Sequence, residues 1–212
     1  MAHASAHDPA LPAALVQEIN ESVAKIQSDA EAVDDADAAN ELLRSKFEVL
    51  GKEHMLDCVT KQWNEGTFEG KALGGRMKKA MSAPDMDLAA ITFGAFTEPT
   101  GKVKLLCGKL HKGATARHSS AGPGFYAVES DFALGDSSQR AGTSTAMGHF
   151  TVDPNNKILN VEFDRVELAL VDKPVETRHI KPRKAELRIL LMAPGMTVTH
   201  SNLGSVTMLR PK

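Results

Sequence analysis

The stretch at residues 187–210, LRILLMAPGMTVTHSNLGSVTMLR, constrains the fold of this chain more than any other. Two short breaks, Ala193-Pro-Gly195 and Asn202-Leu-Gly204, divide it into three runs of alternating side chains. Leu187, Ile189 and Leu191 alternate with Arg188, Leu190 and Met192; Met196 and Val198 alternate with Thr197 and Thr199; Val206 and Met208 continue the period. A period of two puts successive side chains on opposite faces of a strand, and turns this short make the strands antiparallel. A sheet at the end of a chain exposes an edge that invites aggregation unless it is closed or covered. Closure into a small barrel creates an interior rather than a catalytic loop. The segment therefore points to a container.

Five further strands are expected upstream, at 89–96, 102–107, 124–134, 143–152 and 157–171, and those of the C-terminal stretch at 186–192, 196–200 and 205–209. Asp153-Pro-Asn-Asn156 has the composition of a hairpin turn. In the strand after it, Leu159, Val161 and Phe163 share one phase and Val166, Leu168 and Leu170 the other. That slip predicts a bulge or bend at Asp164-Arg165, a device by which strands coil into barrels. Ahead of the strands the period is helical: Leu15, Ile19, Val23 and Ile26 form one stripe, and Leu42, Leu43, Phe47 and Leu50 a second. The first helix is expected to begin near Leu11, with Pro12 in its first turn. Asp34, Asp35 or Asp37 is the expected cap of the second, and Gly51 its end. A third helix is expected at 54–63, and a Gly-, Lys- and Met-rich connection at 66–86. The expected fold is α+β: a helical segment with a loose start over residues 1–85, then an antiparallel β-barrel over 86–212.

At 212 residues the chain can bury roughly 70–75% of its unfolded surface. A formal charge of −2 and 5% aromatic residues argue against nucleic-acid binding, which calls for basic grooves and stacking rings. Cys58 and Cys107 are the only thiols, which fits a reducing compartment better than a disulfide framework. No apolar run approaches the roughly 20 residues of a membrane-spanning helix. The N-terminal residues lack the basic start and apolar core of a secretory signal, and before Arg44 they lack the arginines of a transit peptide.

The C-terminal third resembles the plastid lipid-associated proteins, the plant and algal fibrillin family. The likeness is carried by Leu187-Arg-Ile-Leu-Leu191, Met196-Thr-Val198, His200, Ser201-Asn202, Gly204-Ser-Val206, Met208-Leu209 and, upstream, Asn160-Val-Glu-Phe163. It covers about the last 55 residues and departs from the family at His200 and Ser201, where arginine and glycine are usual. A Gly-x-Trp-x-Leu strand opening the barrel is missing, and Trp63 lies in a helical context. The resemblance implies a lipocalin-like barrel that handles lipids or other apolar molecules in a plastid; without it, another intracellular organelle is expected.

Motifs for chemistry are sparse. Gly135-Asp-Ser-Ser138 could present a serine nucleophile, but the Gly-x-Ser-x-Gly elbow is missing and no Asp precedes a C-terminal His by three residues. A turn explains it better, so an enzyme is not expected. Asp35 and Asp37 fail as a calcium loop, since Asn40 takes the glycine position. The eight His residues show no ligand spacing, so no metal and no cofactor are expected. His149 stands out only because its face depends on which side of its strand lines the interior. The stretch at 70–79 holds Arg76, Lys78 and Lys79 but no P-loop. Around Pro174 and Pro182 a second basic stretch, at 173–188, carries Lys173, Arg178, His179, Lys181, Arg183, Lys184 and Arg188. Read as a loop, its cations Lys173, Arg178, Lys181, Arg183 and Lys184 suit an anionic membrane surface or a larger protein complex.

The expected function is non-enzymatic binding of an apolar small molecule, a lipid or pigment, in a barrel at a plastid membrane surface. Val103, Leu105, Phe125, Phe150, Val161, Phe163, Val166, Leu168, Ile189 and Val198 are the expected cavity lining. The same positions would serve a solid core. The alternative is thus a structural accessory subunit of an organellar membrane complex, with a filled barrel and docking helices.

Overall fold

The computed structural model describes residues 12–54, 66–74, 86–113, 124–153, 155, 157–202 and 204–211, with the backbone alone described at 66–69, 107, 109–113 and 211. Two helices come first, α1 (Ala13–Glu31) and α2 (Ala36–His54). Pro12 precedes α1 with extended backbone, and its carbonyl accepts the N–H groups of Leu15 and Val16 at 2.9 and 3.1 Å. Asp35 caps α2: its carboxylate accepts the Ala38 N–H at 2.7 Å, satisfying one of the donors a helix start leaves open. The helix runs on through Gly51 to His54, because Gly51 is buried on the apolar stripe rather than placed at a turn. Beyond His54 the expected third helix lies outside the described residues.

Nine antiparallel strands follow: β1 (Gly66–Ala72), β2 (Met86–Asp87), β3 (Lys102–Gly113), β4 (Gly124–Leu134), β5 (Gly142–Asp153), β6 (Ile158–Leu170), β7 (Glu176–Ala193), β8 (Met196–Ser201) and β9 (Val206–Pro211). They form one curled sheet in the order β1-β9-β8-β7-β6-β5-β4-β3-β2. β1 also pairs with β3, so the ladder returns on itself through β1 at one end of the molecule. At the other end the curl is open. There, among the described residues, the start of β3 pairs with β2 and β4 alone, and β7 has no partner on its β8 side before Glu186, whose carbonyl accepts the Asn202 N–H at 2.9 Å. A short helix, α3 (Leu88–Ile91), and the loop after it lie against this open trough.

Three further sequence expectations are corrected. β1 falls in the stretch read as a connection, and it pairs with β9 and β3, so the sheet begins ahead of the expected boundary near residue 86. The strand expected at 89–96 is instead α3 and a turn. Phe93 and Gly94 have φ of 53° and 82°, which no strand accommodates, and the buried Thr92 hydroxyl donates to the Leu88 carbonyl at 2.8 Å and accepts the Phe96 N–H at 3.2 Å. The basic loop expected at 173–188 is mostly strand β7. Pro182 is tolerated because it sits where the β6–β7 register breaks, between the pairs Arg165↔His179 and Phe163↔Arg183, and no ladder donor is lost there.

The expected bulge is present. Asp164 is the extra residue between Phe163 and Arg165, and by resetting the phase it sends both Phe163 and Val166 to the concave face. A second slip, at Leu190, resets β7 in the same way: Ile189 and Met192 point inward, whereas Leu191 and Ala193 point outward. The run 189–193 is therefore apolar on both faces. Outside, Leu190, Leu191, Val198, Val206 and Met208 pack under Ile19, Val23, Leu43, Phe47 and Leu50 of the two helices. That gives two cores, one within the curl and one between its outer face and the helices.

Candidate binding site at the barrel mouth

Eight of the ten expected lining residues lie in the interior core: Val103, Leu105, Phe150, Val161, Phe163, Val166, Leu168 and Ile189, each no more than 8% exposed. Phe125 and Val198 do not. Phe125 stands opposite His149, next to the interior Tyr126, and so lies on the outer face. Val198 lies beneath the helices, while its neighbours Thr197 and Thr199 take the buried inner positions. The helices bury the outside of β8 as thoroughly as the curl buries its inside, so apolarity there does not mark the inner face.

Aromatic rings occupy the centre of the curl. Phe93, Phe163, Tyr126 and Phe150 form a chain with successive centroid distances of 5.4, 5.8 and 6.2 Å. The Phe150 ring lies directly over Gly124, where a Cβ would come within 2.2 Å of it. Burial drives the Tyr126 phenol well above its ordinary pKa, because a phenolate there would lose its hydration. This interior is a core of interlocked rings.

Space opens instead at the trough end. A cleft of about 210 Å³ is bounded by Phe96, Thr97, Glu98, Pro99, Leu168, Leu170, Lys173, Glu176 and Arg178. Glu176 and Arg178 stand opposite Leu168 and Val166, which brings both to the concave face at the rim. The Arg178 guanidinium donates to the Ala95 carbonyl at 2.7 Å, lies 4.3 Å from the centre of the Phe96 ring and pairs with Glu176 at 3.2 Å. One side chain thus fastens the α3 loop to β7 through a hydrogen bond, a cation–π contact and an ion pair. Arg178, expected to meet a membrane surface or a protein complex, is turned to this rim. The floor is Phe96, Leu168 and Leu170, and the rim holds two cations and two carboxylates.

The other candidates disperse. His149 lies on the outer face, its Nε2 3.5 Å from Asp164. Ser137 and Ser138 sit in the β4–β5 turn, where the Ser137 hydroxyl accepts the Gln139 N–H at 3.0 Å. Even from Gly142, the start of β5, His149 is about 23 Å further along the strand, too far to serve those serines. His200 lies at the end of β8, and its pKa is lowered by burial and by the Arg44 and Arg188 charges. Among the described residues no group of three or more His, Cys, Asp or Glu side chains is arranged to hold a metal ion. No helix among them is long and apolar enough to cross a membrane. The stretch at 75–85, with Arg76, Lys78 and Lys79, and the side chain of Cys107 lie outside the described residues.

Comparison with protein-family models, curated proteins and solved structures returns no match. The functional reading therefore rests on this chain's own geometry. Sequence reasoning missed Phe96, Pro99 and Leu170 as site residues. The available signal was the turn-rich Glu98-Pro-Thr-Gly101 directly after Phe96, which breaks the strand pattern.

Proposed function

We propose that this chain is a non-enzymatic binding module that takes the apolar part of a small molecule, a lipid or pigment, at the mouth of the curl rather than inside it. The observation that carries this reading is the cleft of about 210 Å³ over Phe96, Leu168 and Leu170, beside an interior filled by rings. Its volume is below the roughly 300–1,000 Å³ of sites that enclose a drug-sized ligand. It suits a ring or the end of an acyl chain, with the remainder of the molecule outside. Lys173 and Arg178 at the rim would meet an acidic or polar group on that remainder. A plastid membrane surface, which the C-terminal resemblance implies, is where such ligands concentrate.

Leu170→Trp tests the reading, because an indole at that position fills the cleft without entering the ring stack. Anilinonaphthalene sulfonate should bind the parent protein and fluoresce, and should fail to bind this variant at an unchanged melting temperature. Undiminished fluorescence would place the ligand elsewhere.

The packed interior also favours a second reading, a structural accessory subunit whose helices dock on a larger organellar complex. Mass spectrometry of the natively purified protein separates the two. A binding module brings an apolar small molecule with it, and a structural subunit does not.

A further inference from the structure

We infer that α3 and the loop after it, residues 88–99, form a lid on the open trough, and that a ligand in the cleft closes this lid. The inference rests on the reading of the cleft as a binding site and adds how its occupancy is felt by the fold. Four of the nine residues around the cleft, Phe96, Thr97, Glu98 and Pro99, belong to this segment. The other five belong to β6, β7 and the turn between them. A raised lid leaves only part of the site. A ligand that touches both sides therefore binds the closed state more tightly and shifts the population toward it.

The segment is tied to itself and only lightly to the sheet. The Thr92 hydroxyl donates to the Leu88 carbonyl and accepts the Phe96 N–H. The Gly94 N–H donates to the Ala89 carbonyl at 2.7 Å, and the Ala95 N–H to the Thr92 carbonyl at 2.9 Å. Among the described residues a single hydrogen bond crosses from 88–99 to the sheet, from the Arg178 side chain to the Ala95 carbonyl. The remaining hold is apolar: Leu88 and Phe96 are buried in the interior core, and Ile91 and Phe93 pack against it. Beyond the loop, Gly101 has a φ of 121° and nothing within 4 Å of where a Cβ would stand. That is a backbone position with room to act as a hinge.

Phe93 sets the two states against each other. It follows α3 at the position where glycine is usual, with a φ of 53°, and the Gly94 N–H closes the helix end over it. A phenylalanine keeps left-handed backbone only while its surroundings fix it. Here the fixing contact is the seat of its ring 5.4 Å from Phe163. Lifting the lid releases that strain, whereas ring burial and the Arg178 latch oppose lifting. Ligand contacts to the loop add to the closed side of this balance.

Hydrogen exchange of the full chain, read by mass spectrometry, tests the inference. A helix of four residues has no stability of its own away from the sheet, so its amides exchange once the lid lifts. In the free protein residues 88–99 should exchange more than about tenfold faster than β4, β5 and β6, which open only with the whole fold. Anilinonaphthalene sulfonate at about ten times its dissociation constant should slow exchange at 88–99 about tenfold. In Leu170→Trp, whose cleft is filled, the same addition should slow nothing. Exchange of 88–99 at the rate of the three strands in the free protein would show fixed core and overturn the lid. Fluorescent binding that leaves 88–99 unslowed would overturn the coupling while the cleft reading stands. Slowing that persists in Leu170→Trp would overturn it too, by placing the closing contact elsewhere. No binding to the parent, with 88–99 still opening, would instead strike the cleft as a binding site, and with it the ligand as what closes the lid.

Discussion

Of the described glycines, Gly148 leaves least room for a side chain, and a single methyl group there tests the bulge on which the curl depends. It stands opposite Phe163, where the β5–β6 register shifts by one residue. A Cβ added there would lie 1.9 Å from the Glu162 carbonyl oxygen, 2.7 Å from its carbon and 2.8 Å from the Phe163 Cα. All three atoms belong to backbone already held in ladders on both sides, so no side chain can swing away. The strands must part or the bulge must move. Overpacking costs about 1–3 kcal/mol where side chains can adjust. With backbone as the obstacle, and one or two ladder hydrogen bonds worth about 1 kcal/mol each also lost, Gly148→Ala should cost about 4 kcal/mol. For a chain of this size that lowers the melting temperature by about 8–16 °C.

Gly108→Ala makes the same chemical change where the nearest obstacle, the Glu129 carbonyl oxygen, is 3.9 Å away. It should be neutral or stabilise by up to about 1 kcal/mol, through lower chain entropy in the unfolded state. Urea unfolding of the two variants side by side is the assay. If their midpoints agree to within about 1 kcal/mol of stability, the register assigned around Asp164 is wrong, and with it the inward placement of both Phe163 and Val166.

Arg178→Ala should free the α3 loop from β7 and cost about 1–2 kcal/mol through one charged hydrogen bond and one ring contact; limited proteolysis should then cut first at residues 97–101, and an unchanged cleavage pattern would refute the latch. The folded-state pKa of His200 lies below its ordinary value, so the unfolded chain takes up the proton more readily. Stability should therefore fall as pH drops below about 6.5 and through the lower folded value. His200→Gln should flatten that part of the urea midpoint-against-pH curve, and an unaltered slope would assign the dependence to another group. Tyr126 is the only tyrosine, so alkaline difference absorbance reads it alone. Phenolate should appear together with loss of the far-ultraviolet circular dichroism signal, because the raised folded pKa lets the unfolded state release the proton first; ionisation in the folded protein would show that the ring stack is open to water.

Much of this architecture is determined by pattern alone. The two helical stripes, the alternating strands after residue 100 and the phase slip at Asp164 are local properties. Each depends on the period at which apolar side chains recur, and the chain folds as the period requires. The cap at Asp35 is equally local. Tertiary structure alone decided which face of a strand is inside. Val198 was expected to line a cavity because it is apolar, yet it lies in the outer core beneath the helices, and the buried inner positions go to Thr197 and Thr199. Period two separates the two faces of a strand but does not name them, and the usual guide, a polar outer face, fails wherever a second layer covers it. The same holds for residues 176–188, which composition marks as a loop. Whether a proline breaks a strand depends on whether a partner needs its missing N–H, and at Pro182 none does. The cleft is the extreme case. Phe96 and Arg178 are 82 residues apart in sequence, and no local pattern brings them together; only the closing of the trough by the α3 loop does.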